Sequence, residues 1–430
     1  MTSSAPAGFL GLSHLGIVSS VGWASLGDAV VAVDLDPVPV AALRRGDLPV
    51  LEPSLPEVFA AARSRMTFST EPADLAACPL VIVSRDVPTD DANASDPAPV
   101  LGLVDAALPH LRDGVTLVLM SQVPPGFTRR LAERIHARRP ALGFRLYYWV
   151  ETLIFGNAVE RYLKPERIIL GCARPADALP APLEAAVRRF ACPVLRMRYE
   201  SAELAKTAIN LYLCAAVTYA NTLADLCEQV GADWSEMMPA LRLDRRIGPA
   251  AYIKPGLGIT GGNLERDLAT LAAACRAAGV DGRFVETIIE GNARRLQWVH
   301  RRLGERLFPE VAHPVIALWG LAYKKNTRST KNSPALRLLR ELAGRAEFRA
   351  WDPVVRDAGD LPVKIVAERD EAPAGADCLL IMTDWDEFAT LSRSVVASMR
   401  RPLVIDGVGV VDAARSDLGG AQYVAMGRPA

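Results

Sequence analysis

The sequence predicts an α/β protein with a Rossmann-like domain at each end and a helical region between them. Three observations predict it. A glycine turn, Gly11-Leu12-Ser13-His14-Leu15-Gly16, follows the first apolar strand and opens a helix. Short apolar runs then alternate with helical stretches, the pattern of a parallel sheet. The same alternation starts again at Val315, after a long helical stretch. A chain of 430 residues is long for one domain. Boundaries are expected at 1–197, 198–305 and 306–430.

In chain order, residues 8–36 read strand, glycine turn, helix, strand, a βαβ opening. LVIV (80–83), VTLVLM (115–120) and RLYYWV (145–150) are apolar enough for further strands of one parallel sheet. RIILG (167–171) and the segment near Val194 close the first domain. Residues 199–240 form a long helical stretch whose middle is apolar on both faces, so a second chain is expected to cover one of them. Residues 265–305 are helical again, and 306–314 read as a linker. VIALW, a helix from about Ser333, FRAWDP, ADCLLIMTDW and PLVIDG then give a smaller parallel sheet.

Lys plus Arg and Asp plus Glu cancel at 49 each, which gives no electrostatic case for a nucleic acid or an anionic membrane as partner. Cys78, Cys172, Cys192, Cys214, Cys227, Cys275 and Cys378 are scattered and odd in number, with no C-x-x-C pair. That usage points to reduced thiols in a cytoplasmic protein, without a disulfide framework or a zinc site. No His, Asp and Glu cluster has metal-ligand spacing, so no metal is expected. The N-terminus lacks a basic n-region, and no apolar run reaches the length of a membrane span.

The glycine turn places helix N–H groups where a dinucleotide's pyrophosphate binds, although Ser13 stands where the second glycine is usual. Asp34 ends the second strand about 20 residues on, where a carboxylate accepts ribose hydroxyls and repels the 2′-phosphate of NADP. NAD is therefore the expected cofactor. The alternative for Asp34 is a solvated turn aspartate, a role that Asp36 can also fill. His14 reads as a turn residue at the cofactor. Lys206 and Asn210 are one turn apart on one helix face; by themselves they read as a solvated polar edge, but their apolar neighbours suggest an ammonium and an amide pointing together into a polar pocket. The glycine-rich run 256–262 reads as a loop, and Asn263 by itself as a turn residue.

These features together resemble the UDP-glucose/GDP-mannose dehydrogenase family along nearly the whole chain. AYIKPGLGITGGNLERDL (251–268) resembles that family's active-site loop, G-x-G-x-G-G-S-C-x-P-K-D. ESAELAKTAINLYLCA (200–215) matches the helix that carries its catalytic Lys and Asn. LEPSLPEVFAAA (51–62), VPT (87–89), KPERIILG (164–171), LDRRIG (243–248), GLAYKKNTRSTKNSP (320–334), TDWDEF (383–388) and VIDG (404–407) match further family segments in order. The resemblance implies an NAD-binding first domain, a central helix that forms a homodimer, and a last domain that binds the UDP part of a nucleotide sugar. It implies that Lys206, Asn210 and Asp267 stabilise charge on the reacting oxygen and position water, with Glu151 matching the glutamate of N-P-E-F. Gly11, Ser13, His14, Leu15, Gly16, Asp34, Thr89, Gln122 and Lys331 are the implied cofactor contacts. Glu151, Lys206, Asn210, Tyr252, Gly256 and Lys324 are the implied substrate contacts, and Arg246 is implied to reach the partner subunit's substrate.

The departures cluster at the chemistry. Asn263 stands for the family's cysteine, Arg266 for its lysine, Gln122 for the threonine of S-T-V-P-x-G, and Lys331 for a cofactor-side arginine. The usual D-G-R-N reads Asp406-Gly407-Val408-Gly409. In the family the cysteine captures the aldehyde, and a thioester then leads to the acid. An amide is a poor nucleophile and does not ionise. Because Lys206, Asn210 and Asp267 keep their places, altered chemistry is expected: one oxidation of an alcohol to a carbonyl. A redox-neutral epimerase that retains NAD, a full dehydrogenase acting through an aldehyde hydrate, and a non-catalytic nucleotide-sugar-binding protein stay open as alternatives.

Overall fold

A computed structural model describes residues 5–90, 93–412 and 414–429. The chain divides into two compact units, Met1–Ala208 and Ile209–Ala430.

The first unit holds an eight-stranded sheet: β1 (Ala7–Leu10), β2 (Val30–Val33), β3 (Met66–Ser69), β4 (Leu80–Val83), β5 (Val115–Leu119), β6 (Phe144–Trp149), β7 (Ile168–Cys172) and β8 (Val194–Arg198). Their spatial order is β3-β2-β1-β4-β5-β6-β7-β8. β1, β4 and β5 are buried along their whole length, which is why they read as unbroken apolar runs. The order reverses at β1, with β2 on one side and β4 on the other. Ligands of doubly wound sheets bind in the crevice at such a switch point, and the turn at Gly11 leaves β1 there. The first helix, His14–Ser25, is buried from Leu15 to Ala24, and its Trp23 meets Phe9 edge-on at 5.7 Å.

One pair departs from the expected parallel sheet: β6 and β7 run antiparallel, Tyr148 opposite Gly171. The only helix between them is Ala158–Leu163, 6 residues.

The second unit contains helices Trp234–Leu243, Asn263–Ala278, Arg283–Arg295 and Trp298–Arg306, followed by a six-stranded parallel sheet. Its strands are β9 (Val315–Trp319), β10 (Glu347–Trp351), β11 (Lys364–Ile365), β12 (Cys378–Ile381), β13 (Leu403–Asp406) and β14 (Gln422–Ala425), in the order β11-β10-β9-β12-β13-β14. Trp298, Trp319 and Phe388 are fully buried in its core, and the rings of Trp319 and Phe388 stack at 5.3 Å. The helix expected from Ser333 runs Pro334–Glu341, with the Ser333 hydroxyl accepting from the Leu336 N–H.

The long helix Tyr199–Val230 begins in the first unit and continues in the second. The sequence suggested a helical stretch to about 240. The helix stops at Gly231, which takes a positive φ of 77°, and Asp233 caps the next helix by accepting from the Ser235 N–H. The expected helical stretch 265–305 is three helices, broken at Gly279 and near Leu296. Among the described residues no helix is long and apolar enough to cross a membrane.

Candidate active site

In the first unit the turn is packed too tightly for a side chain at either of its glycines. A Cβ on Gly16 would lie 1.8 Å from the Gly11 carbonyl oxygen, so the helix can rest on the turn only with glycine there. Gly11 itself has a φ of 101°. Beside the turn lies an open cleft of about 440 Å³ lined by Leu12, Ser13, Val38, Val50, Arg85 and Asp86. This cradle fits a dinucleotide: a close-packed turn, a helix N-terminus and an adjoining cleft of largely apolar wall.

Asp34 lies at the foot of this turn and is buried. Its carboxylate accepts from the Leu12 N–H at 2.6 Å and the Asp36 N–H at 2.9 Å, and pairs with Arg85 Nη1 at 3.1 Å. Asp352 plays the same part at the end of β10, taking the Leu321 and Ala322 N–H groups at 2.7 and 3.0 Å. Each sheet thus ends its second strand in an aspartate that fastens the turn after the first. Asp36 is exposed and caps the helix Pro37–Arg45. The Leu15 N–H, in the first turn of the helix, donates to Asp86 Oδ2 at 3.0 Å. His14 Nε2 lies 2.8 Å from Glu52 Oε1, and the His14 ring lies 4.2 Å from that of Phe155. Thr89 forms an isolated bridge with Ser95, and Gln122 lies in the loop after β5.

The sequence did not single out Glu52 or Glu203, two buried carboxylates that hold this unit's loops. Glu52 accepts from the Gly156 and Ala158 N–H groups at 2.8 and 3.2 Å, fixing the loop that follows Glu151. Glu203 accepts from the Gly126 N–H at 2.5 Å, the Thr128 N–H at 2.7 Å and the Thr128 hydroxyl at 2.6 Å, and so anchors the Ser121–Gly126 loop to the long helix. Burial pushes the Glu203 carboxyl above its ordinary range, and these donors pull it partly back. One turn later on the helix, the largely buried Lys206 places Nζ 3.4 Å from Glu151 Oε2.

In the second unit Asn210 donates through Nδ2 to Asp267 Oδ2 at 2.5 Å. The other Asp267 oxygen lies 3.4 Å from Arg266 Nε, and all three side chains are buried. Asn263 is the first residue of the helix Asn263–Ala278 and is exposed. The two glycines before it both have a φ of 91°. A Cβ on Gly261 would fall 2.3 Å from the Tyr323 ring, and one on Gly262 would fall 3.2 Å from Lys331 Cγ. Glu265 closes this helix start, accepting from the Gly262 N–H at 3.1 Å and from Asn332 Nδ2 at 2.5 Å. Gly256 is tied down on both sides, its N–H to Asn221 Oδ1 at 2.9 Å and its carbonyl to Arg295 Nε at 2.8 Å. Lys324 Nζ lies 5.6 Å from the centre of the Tyr323 ring, and Tyr252 is exposed. Arg246 is 88% exposed and pairs with Asp244 at 2.6 Å.

No thiol replaces the missing cysteine in this loop. Cys214 is buried on the long helix, and burial, with the charges of Asp267 and Glu265, pushes it up to about 12. Cys275 lies on the helix that Asn263 opens, about three turns farther along.

Three profiles of one family match the chain in order. They are the UDP-glucose/GDP-mannose dehydrogenase family NAD binding domain over residues 7–189, its central domain over 200–294 and its UDP binding domain over 317–413. A UDP-glucose 6-dehydrogenase of Pseudomonas aeruginosa is 30% identical across 98% of this chain and 97% of its own. The UDP-glucose 6-dehydrogenase AglM of Haloferax volcanii is 30% identical across 94% of this chain and 96% of its own. The solved structure of a UDP-glucose dehydrogenase from Pyrobaculum islandicum superposes with a TM-score of 0.85 at 27% identity, covering 98% of both chains.

Proposed function

This chain belongs to the UDP-glucose/GDP-mannose dehydrogenase family, NAD-dependent oxidoreductases of nucleotide-linked sugars, and we propose that it oxidises one alcohol of a UDP-sugar to a carbonyl and stops there. The observation that carries this reading is Asn263. The residue that opens the active-site helix bears an amide, and the buried thiol of Cys214 is held protonated by its surroundings. A neutral buried thiol is not a nucleophile.

Bound NAD supplies the acceptor for the hydride that leaves the sugar carbon. The chain's own residues do the rest. Lys206, oriented by Glu151, donates to the alcohol oxygen and stabilises the charge that grows on it. Asn210, one turn along the same helix, fixes the Asp267 carboxylate, which holds the water that takes the proton. Asn263 offers its side-chain N–H groups to the new carbonyl oxygen, which favours holding the product over attacking it. Tyr252, Gly256 and Lys324 are assigned to the nucleotide sugar. The cofactor is assigned to the turn Gly11–Gly16, Asp34, Thr89, Gln122 and Lys331.

The working unit is proposed to be a homodimer. Tyr212, Tyr219, Leu226 and Val230 are all exposed on the long helix. At about 100° per residue their spacing places them in one narrow stripe. An apolar stripe of that kind is the surface a second copy covers. Arg246, exposed beside Asp244, is then available to the neighbour's site.

The test incubates the protein with NAD and a panel of UDP-, GDP- and TDP-sugars, following NADH per sugar and product mass. One NADH with a trappable sugar carbonyl is the expected result. Two NADH with a uronic acid overturn the single oxidation. Rearranged sugar without NADH, or no turnover of any sugar, overturns net oxidation altogether.

A further inference from the structure

We propose that Asp86 is an internal occupant of the anion site that the cofactor's diphosphate needs, so that NAD binds only as the Arg85–Asp86 segment leaves the glycine turn. The inference rests on the NAD-dependent reading of the site.

The helix His14–Ser25 has 12 residues, and its first N–H groups have no partner within the helix. Ser13, at the N-cap position, makes no side-chain cap bond to it. The cap comes instead from the end of β4. Asp86 Oδ2 accepts from the Leu15 N–H at 3.0 Å, while the Asp86 N–H donates to Ser13 Oγ at 2.7 Å. Ser13 Oγ in turn lies 3.5 Å from the Ser84 carbonyl oxygen, which closes the arrangement. A carboxylate therefore sits where a dinucleotide fold presents backbone N–H groups to a diphosphate.

A second contact points the same way. The preceding residue, Arg85, pairs with Asp34 Oδ2 at 3.1 Å, on the carboxylate placed to receive the ribose. Its backbone is pressed onto the turn: a Cβ on Gly11 would lie 3.0 Å from Arg85 N and 3.1 Å from Arg85 Cα. Two adjacent residues thus engage both handles by which the turn would hold a dinucleotide. Both also line the cleft beside it.

One N–H cannot serve a carboxylate and a phosphate at once, and two anions at one helix start repel each other. A plain structural cap and an internal competitor make opposite predictions. Removing a cap weakens the fold and leaves ligand affinity unchanged or worse. Removing a competitor weakens the fold and strengthens the binding of any ligand that carries the diphosphate.

The experiment titrates the full chain and its Asp86→Ala and Asp86→Asn variants by calorimetry with NAD, ADP and adenosine, and records each melting temperature. We expect Asp86→Ala to melt lower yet bind NAD and ADP about tenfold more tightly, with adenosine unchanged. Asp86→Asn keeps an oxygen for the Leu15 N–H and drops the charge. It is expected to move in the same direction by less, and it carries the test alone if the alanine variant does not fold. Equal or weaker NAD and ADP binding in the folded variants, with the wild type binding normally, overturns the proposal and leaves the dehydrogenase reading standing. Equal tightening of adenosine overturns the diphosphate assignment. No NAD binding by any of the three proteins overturns both readings.

Discussion

An amide and a thiol of similar size at position 263 differ above all in the ability to give up a proton and attack carbon. A cysteine at a helix start is acidified by the helix's N-terminal field, and Asn263 occupies such a start. Asn263→Cys is therefore expected to form a covalent adduct with the sugar carbonyl, visible by intact-protein mass, and to raise NADH per sugar from one towards two. Unmodified protein and unchanged stoichiometry would count against the proposed product. Lys206 carries a separate expectation. A preorganised donor to a developing oxyanion contributes about 3–4 kcal/mol at the transition state. Lys206→Ala should lower turnover by roughly two to three orders of magnitude while the calorimetric NAD affinity holds. Unchanged turnover removes Lys206 from the mechanism. The placing of Lys206 and Asn210 one turn apart on a single helix was legible in the sequence from their spacing. Glu52 and Glu203 were not. A lone carboxylate in an apolar stretch reads as a surface residue until its donors are known, and those of Glu203 lie 75 to 77 residues away in the chain.

Elements were legible where they are long or buried on both faces, and obscure where they are short or held from a distance. β4 and β5 read directly as apolar runs. β11 has only 2 residues, and β14, Gln422–Ala425, is apolar for only part of its length, so neither carries a pattern. β7 runs against β6, and the apolar pattern of a strand does not encode its direction. The Ser121–Gly126 loop shows how one buried charge fixes an element. Glu203→Gln keeps an acceptor but loses the charge-assisted bonds, which are worth about 1.5–3 kcal/mol each when made well. Because the folded carboxyl sits above its ordinary value of 4.5, the folded state holds its proton more tightly than the unfolded chain. That part of its stability is complete below about pH 4.5 and is lost as the pH rises through the folded value. The stability of wild type minus that of Glu203→Gln, from urea unfolding, should therefore fall as the pH is raised above about 4.5. A difference that rises over the same range would show that the ionised form is the favoured one.

For the whole molecule, the two-sheet plan with a helical region between was legible because each sheet announces itself by its own strand and turn residues. The exposed stripe on the long helix was only partly so: the sequence shows a helix apolar on both faces, and only the fold says which face is covered within the chain. Replacing Tyr219 and Leu226 together by Asp should leave a folded monomer by sedimentation velocity, and wild type should sediment as a dimer. A monomeric wild type contradicts the assembly proposed. The long helix also has a mechanical consequence. The part of it in the second unit, 209–230, makes a rod about 33 Å long. Asn210 rides on that part, and the exposed stripe from Tyr212 to Val230 runs along it. A slip of one residue at the stripe turns such a rod by about 100° and would swing the Asn210 amide away from the Asp267 carboxylate. In the dimer proposed above, assembly and chemistry would therefore be settings of one shaft, and a subunit docked out of register would be mistimed as an enzyme before it is unstable as a protein.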